Sequence, residues 1–333
     1  MAEQNTISEI FESFHNLKAL VIGDVMLDHY LFGHVNRISP EAPIPIVDIY
    51  KHENRLGGAA NVAQNIKELG AKVFLASVVG DDPDGYTFKD ELQQAGISSR
   101  YIVLDQERKT TVKNRIVSRN QQMLRFDSEQ RNPLEENTEL LLLDNIIDII
   151  YTEAPHVVIL QDYNKGVLTP KLIANVIHNA RQAKIPVAVD PKYDNFFEYR
   201  GCTLIKPNLA EATNALEMDI NPLKIDTLIA ADSQLRAILQ NSISVITLGS
   251  KGIFVATEDD HEVCPAYQRN IIDVSGAGDT VLALLALGLA LELDIFATVE
   301  LANIAAGLVC EQVGVAPVDK EKLYKEAVAL LGE

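Results

Sequence analysis

One short stretch, Asp273-Val274-Ser275-Gly276-Ala277-Gly278-Asp279-Thr280, carries two groups that together could manage phosphoryl transfer. Gly276 and Gly278 flank a single alanine, so the backbone there can turn sharply and leave its N–H groups pointing outward. The apolar run Val281 to Leu291 follows at once and predicts a helix opening at about Ala277 to Asp279. A helix start presents unpaired N–H groups and the positive end of the macrodipole, which make an anion site. Asp279 stands in that same first turn. Amides would hold the charge of the moving phosphoryl group while the carboxylate takes the proton of an attacking hydroxyl. A capped helix with no chemistry accounts for the same eight residues, so the surrounding elements have to decide.

Those elements are legible as an alternation. Lys18 to Gly23 is a continuous apolar run, the pattern of a strand buried on both faces, and it ends in Asp24-Val25-Met26-Leu27-Asp28. Two carboxylates at a strand end could bind metal, work as acid and base, accept hydrogen bonds from sugar hydroxyls, or simply face water in a turn. Tyr30 to Gly33 and Ile44 to Tyr50 are short β-like runs around a proline-rich segment, and the prolines favour an edge or lid hairpin. Residues 55–70 form a Gly57-Gly58 entry into a helix with Ala60, Ala63 and Ile66 buried, Asn61 on its first turn and Gly70 as its stop. The glycine pair permits close backbone approach to a ligand. Lys72 to Gly80 is a second buried strand, and Pro83 to Ala95 a helix. Tyr101 to Leu104, Thr110 to Ser118 and Gln122 to Phe126 are expected to join the hairpin in a small second sheet. After a helix over Leu134 to Tyr151, strands HVVILQD, PVAVD, TLIKPN and SVITLG alternate with helices, which argues a doubly wound, mostly parallel α/β sheet.

Each of those strands also ends in polar residues: Asp162-Tyr163-Asn164-Lys165-Gly166, Asp190-Pro191-Lys192, Lys206-Pro207-Asn208-Leu209-Ala210-Glu211 and Gly249-Ser250-Lys251-Gly252. With Asp24 and the glycine turn, they imply one crevice along the carboxyl edge of one sheet, where ligands of open α/β sheets bind.

Composition narrows the partners. The chain has 333 residues, and its net charge of −18 without a basic stripe argues against nucleic acid. Any anionic ligand must then be attracted by local groups. Cys202, Cys264 and Cys310 are far apart and read as reduced thiols. The first sixteen residues lack a signal-peptide pattern, and the longest apolar stretch is too short for a bilayer. A cytoplasmic protein with no membrane partner is expected.

At this point the residues resemble the PfkB (ribokinase-like) family of carbohydrate kinases over essentially the whole chain. Gly57-Gly58 with Asn61-Val62-Ala63 and Leu69-Gly70 matches one family signature, and Asp273 to Asp279 the other, with Val274 where threonine is usual. Lys206-Pro207-Asn208-x-x-Glu211 and Gly249-Ser250-Lys251-Gly252 follow in the family's order. Four further stretches are similar to the branch that phosphorylates D-glycero-β-D-manno-heptose 7-phosphate. They are Asp24 to Tyr30, Arg37 to Pro43, Gln122 to Asp127 and Asp162 to Gly166.

The resemblance implies a single ribokinase-like kinase domain over residues 1–333, with a small β-sheet lid from about 29–50 and 100–126. It implies ATP and Mg²⁺ as cofactors, a sugar phosphate as partner, and a homodimer that hides the lid's open strand edges. Many members of that branch carry a cytidylyltransferase-like second domain; the chain ends with the helix Lys320 to Leu331, so a monofunctional kinase is expected. Asp279 would be the general base, and the amides of Gly276, Ala277 and Gly278 the anion hole. Asn208 and Glu211 would line the ATP phosphates and Mg²⁺, Glu211 through water. Gly249, Ser250 and Gly252 would cover the nucleotide, with Asn303 on the adenine side. Asp24, Asp28, Gly57, Gly58 and Asn61 would hold sugar hydroxyls, and Lys165 and Arg125 the sugar's phosphate, with Arg37 a weaker candidate. The same motifs fit a kinase of ribose, fructose phosphate or 2-keto-3-deoxygluconate, and, more remotely, a sugar-phosphate sensor without catalysis. A dinucleotide-binding dehydrogenase is excluded, because the first strand lacks the Gly-x-Gly-x-x-Gly that would follow it.

Overall fold

The computed structural model describes residues 6–119 and 121–332. The strands in chain order are β1 (Lys18–Gly23), β2 (Val25–Ile38), β3 (Pro45–Gly58), β4 (Lys72–Gly80), β5 (Ile102–Asp105), β6 (Val112–Ser118) and β7 (Gln121–Ser128). They continue with β8 (Val157–Gln161), β9 (Val187–Asp190), β10 (Leu204–Ile205), β11 (Ile243–Thr247), β12 (Ile253–Ala256) and β13 (His261–Cys264). The helices are α1 (Ile7–Ser13), α2 (Ala59–Glu68), α3 (Pro83–Gln94), α4 (Glu136–Asp148), α5 (Pro170–Gln182), α6 (Leu209–Leu216), α7 (Ile225–Leu239), α8 (Ala277–Ala290), α9 (Ile295–Cys310) and α10 (Lys320–Leu331).

Nine strands form the main sheet in the order β13-β12-β11-β10-β9-β8-β1-β4-β5. Seven run parallel, and β12 and β13 close one edge as an antiparallel pair. The side chains of β1 alternate between two cores. Ala19 and Val21 pack among α2, α8 and α9, whereas Leu20 and Ile22 pack among α4, α5 and α7. Both faces of the strand are therefore dry, which is why its sequence is continuously apolar. Helix boundaries follow local chemistry: Thr169 caps α5 by accepting the Leu172 N–H, and Pro170 stands at its first position, where no N–H is needed.

The second sheet has the order β3-β2-β6-β7. Its long hairpin β2–β3 pairs Met26 with Gly57, Asp28 with Arg55 and Tyr30 with Glu53, and β6 runs parallel to β2 so that Asp28 faces Lys113 and Tyr30 faces Arg115. This lid spans 25–58 and 112–128, wider than expected on the N-terminal side. Val25 enters β2 directly after Asp24, so the chain crosses from main sheet to lid without a strand-end turn.

The strand expected at Tyr101 to Leu104 does not join the lid. Ile102–Asp105 pairs with β4 in the main sheet, because Ile102 and Val103 are both buried and need cover on both faces. The expected helix over Leu134–Tyr151 ends at Asp148 and continues as one wider π turn through Glu153. Among the described residues no helix is long and apolar enough to cross a membrane, and all three cysteines are buried and unpaired.

Candidate active site

Helix α8 opens with no side-chain cap. Gly276 precedes it at φ 85°, a left-handed conformation that suits glycine, and a Cβ there would collide with the Asn61 amide. The N–H of Ala277 reaches back to the Val274 carbonyl at 3.4 Å. Among the described residues the N–H groups of Gly276, Gly278 and Asp279 have no acceptor. Closure of the 274–277 turn thus engages the Ala277 amide, one of the three expected to face an anion, and the Asp279 amide is open beside those of the two glycines.

Asp279 itself is buried. Its Oδ2 accepts from Asn61 Nδ2 at 2.7 Å, and its Oδ1 accepts from the Tyr163 hydroxyl at 2.7 Å and from Gln161 Nε2 at 3.4 Å. Burial pushes the carboxyl up to about 6; the Asn61 and Tyr163 hydrogen bonds pull the other way, Asp190 adds to the rise, and Lys206 opposes it. Lys206 Nζ lies 2.9 Å from Asp190 Oδ2 in a buried ion pair. A buried carboxyl titrating near 6, with its oxygens directed by named donors, is the arrangement expected of a general base at neutral pH.

From the start of α8 a cleft of about 1160 Å³ runs across the carboxyl ends of β9, β10 and β11. Asn208, Glu211, Gly249, Ser250, Gly252 and Asn303 all line it. Asn208 and Glu211 also form a reciprocal cap on α6, with Asn208 Oδ1 accepting the Glu211 N–H at 2.9 Å and Glu211 Oε2 accepting the Asn208 N–H at 2.8 Å. The other Glu211 oxygen is paired with Lys192. Burial works against the Lys192 charge, but Asp190 and Glu211 outweigh it and raise its pKa. Asn303 Nδ2 donates to the Pro265 carbonyl at 2.7 Å. Two lysines, open amides at a helix start and oxygen donors on one wall suit a polyphosphate with a hard cation held through water. The local cations answer the problem set by the chain's negative charge.

The residues expected to hold a sugar divide into two groups. Asp24 is consumed internally: Oδ2 accepts the N–H groups of Tyr163 at 2.8 Å and Lys165 at 3.0 Å, and Oδ1 that of Val167 at 3.0 Å. It builds the loop after β8 rather than facing open space. Asn61 is likewise directed at Asp279, and Asn65 holds it from below by donating to its main-chain carbonyl at 2.9 Å. Asp28, paired with Arg115, lies on the lid face opposite this loop; burial raises its carboxyl while Arg115 and Lys113 oppose the rise. A Cβ on Gly57 would strike the Asp28 carboxylate and one on Gly58 the main-chain carbonyl of Asp24, so the first glycine lets the hairpin close on a carboxylate and the second on backbone. Lys165 is bridged to Glu129 at 2.6 Å and Arg125 to Asp127 at 3.2 Å; Arg37 lies exposed near the end of β2.

Four contributors were not singled out from the sequence: Tyr163, Gln161, Lys113 and Arg115. Tyr163 and Gln161 stand at the end of β8, where the recurrent polar endings were a usable signal. Lys113, Asn114 and Arg115 are three consecutive polar residues in β6, a run equally typical of a solvent-facing strand. In the folded chain Lys113 is half-buried, makes no salt bridge among the described residues, and sets its ammonium 5.4 Å from the centre of the Tyr163 ring.

A doubly wound sheet, a β-sheet lid and an aspartate at the mouth of an uncapped helix define a carbohydrate kinase of the ribokinase-like class. The chain belongs to the pfkB family of carbohydrate kinases, whose family model matches residues 16–322. It is 42% identical over 307 residues to the bifunctional protein HldE of Methylobacillus flagellatus, covering 92% of this chain and 62% of that protein. With HldE of Geobacter metallireducens it shares 40% over 319 residues, 95% of this chain and 64% of the relative. The chain thus spans a little under two thirds of the length of these relatives. Among solved structures, Escherichia coli phosphofructokinase-2 in complex with potassium superposes with a TM-score of 0.75 at 18% identity, covering 93% of this chain and 98% of the other. Arabidopsis thaliana ribokinase complexed with ribose and ATP gives 0.71 at 16% identity, with 93% and 98% covered. At such identities these two speak for the fold.

Proposed function

We propose that the protein transfers the γ-phosphoryl group of ATP to the anomeric O1 of D-glycero-β-D-manno-heptose 7-phosphate, giving the 1,7-bisphosphate used in ADP-heptose and lipopolysaccharide core synthesis. The observation that carries the substrate is about 40% identity to HldE proteins over nearly the whole chain. It is joined by a lid in which Arg115 stands opposite Arg125 and Lys113 opposite Asp127.

In this reading Asp279 accepts the proton of O1 as O1 attacks the γ-phosphorus. The open amides of Gly276, Gly278 and Asp279 hold the equatorial oxygens, and ADP departs on the opposite side. Lys192 and Lys206 neutralise the phosphate chain. Glu211 would hold Mg²⁺ through water, and that ion supplies charge neutralisation along the phosphates when bound. Gly249, Ser250 and Gly252 cover the nucleotide, and Asn303 stands on its adenine side. Asp28 and the backbone at Gly57 and Gly58 meet sugar hydroxyls, while Lys113 receives the remote phosphate, joined by Lys165 and Arg125 once they exchange their carboxylate partners for it. The lid excludes water from the transfer. Leu124 and Phe126 flank Arg125 on β7, point away from the site, and are about half exposed; this apolar outer face supports a homodimer through the lid strands.

The deciding experiment supplies ATP and Mg²⁺ with heptose 7-phosphate, ribose, fructose 6-phosphate or 2-keto-3-deoxygluconate in parallel. Preferential formation of the heptose 1,7-bisphosphate supports the assignment. Preference for another sugar leaves the kinase and removes the heptose.

A further inference from the structure

Asp279 has two oxygens, and they are treated differently. Oδ2 is held by Asn61, which is itself fixed by Asn65 in the same helix. Oδ1 accepts the Tyr163 hydroxyl at 2.7 Å and only a long 3.4 Å contact from Gln161, whose amide also donates to Asp190 at 3.1 Å. A general base accepts the attacking hydroxyl's proton across a hydrogen bond of this length. The Tyr163 O–H therefore makes, with the base, the bond that an acceptor O–H must make.

We propose that Tyr163 is a placeholder for the substrate: its hydroxyl occupies Asp279 Oδ1 in the sugar-free enzyme, keeps water off the base, and is exchanged for the sugar hydroxyl on binding. This rests on the reading of Asp279 as the general base and makes Tyr163 a positioning residue. Its main chain is anchored, since its N–H donates to buried Asp24, so exchange needs only a side-chain swing. The ring is faced by two ammonium groups, Lys113 from the lid at 5.4 Å and Lys192 from the nucleotide side at 5.6 Å. Each is a cation that an arriving anion draws away, so both substrates loosen the ring from its place. Besides Tyr163, the groups facing Asp279 are Asn61 from α2, Gln161 from β8, Asp190 from β9, and Lys192 and Lys206 from the segments after β9 and β10.

The placeholder guards against a balanced but wasteful reaction. Water would attack the γ-phosphorus, forming a new O–P bond while the bond from phosphorus to the β–γ bridging oxygen breaks. Its proton would pass to Asp279, and ADP and orthophosphate would leave. Productive transfer differs only in that the sugar oxygen attacks.

The test is Tyr163→Phe, which removes only the hydroxyl. ADP release from MgATP without sugar is expected to rise about tenfold, and to fall back in the Tyr163→Phe/Asp279→Asn double variant. The acid limb of kcat/KM for the sugar is expected to move up by about one pH unit, because a bond that favours the charged carboxylate is lost. A folded variant with unchanged sugar-free ADP release and an unmoved limb overturns the proposal. So does a collapse of kcat at constant KM, which would show the hydroxyl at work in the transition state. If Tyr163→Phe does not fold, 3-fluorotyrosine at position 163 replaces it. Its fluorine resonance is expected to shift when sugar alone saturates the enzyme, and an unchanged resonance overturns the exchange. The sugar-free ADP measurement needs no acceptor, so a wrong sugar assignment and a wrong role for Tyr163 give different results.

Discussion

Asn61 Nδ2 lies 2.7 Å from Asp279 Oδ2, although 218 residues separate the two. One is on the first turn of α2 and the other on the first turn of α8, so the two signature segments of the chain meet as a single hydrogen-bonded unit. Asn65 extends that unit: its Oδ1 accepts from the Thr280 hydroxyl and from the Val318 N–H, both at 3.0 Å. Asp279 is thereby held by three parts of the chain, which fixes its orientation before any ligand arrives.

Asp279→Asn keeps nearly the same shape but cannot take a proton. Turnover is expected to fall by about 10³-fold, within the usual range for loss of a general base. Steady-state phosphorylation by ATP checks it, with nucleotide affinity measured separately and expected to change little.

The same substitution carries a stability signature. The Asp279 carboxyl titrates at about 6 in the folded chain against an ordinary value of 3.8. The folded state holds the proton more tightly, so this group's stabilising contribution is complete below pH 4 and is lost as pH rises through 6, about 3 kcal/mol in all. Above pH 6 the buried charge is a standing cost. The melting temperature of Asp279→Asn relative to wild type is therefore expected to rise between pH 4.5 and pH 7.5 and then level off. Calorimetry in matched buffers would show this, and a flat difference would contradict it.

Asp24→Asn puts an amide where three main-chain N–H groups converge. A donor facing donors, in place of a buried acceptor, is expected to cost about 3 kcal/mol. Hydrogen exchange at Tyr163, Lys165 and Val167 should accelerate well before the rest of the sheet. Uniform protection with normal stability would show that the carboxylate is dispensable to the loop.

Lys113→Met removes the half-buried cation of the lid while keeping its apolar stem. The KM for a phosphorylated sugar is expected to rise at least about tenfold, the loss of one charge-assisted contact, with a smaller change for the same sugar without its phosphate. Equal changes for both sugars would move the phosphate site elsewhere.

Much of this was legible in the chain itself. The run KALVIG is apolar at every step because both sides of β1 are covered, and Lys320 to Leu331 is bounded as a helix by Asp319, whose side chain accepts the Lys322 N–H. Gly276, Gly278 and Asp279 marked an uncapped helix start with a carboxylate in its first turn, because backbone freedom, helix start and residue type are all local properties. What local properties do not contain is the identity of a partner. Asp24 and Asn61 have the right residue types to hold a sugar, yet one is engaged by a loop 139 to 143 residues away and the other by Asp279. Ile102 to Asp105 matched a lid strand in length and composition, and only the choice of β4 as neighbour put it in the main sheet. Residue type and spacing determined which chemistry this protein could perform and where its strands end. Tertiary packing alone decided which oxygen of Asp279 is held by Asn61 and which meets Tyr163, because a hydrogen bond is specified by position in space and sequence distance places no constraint on it.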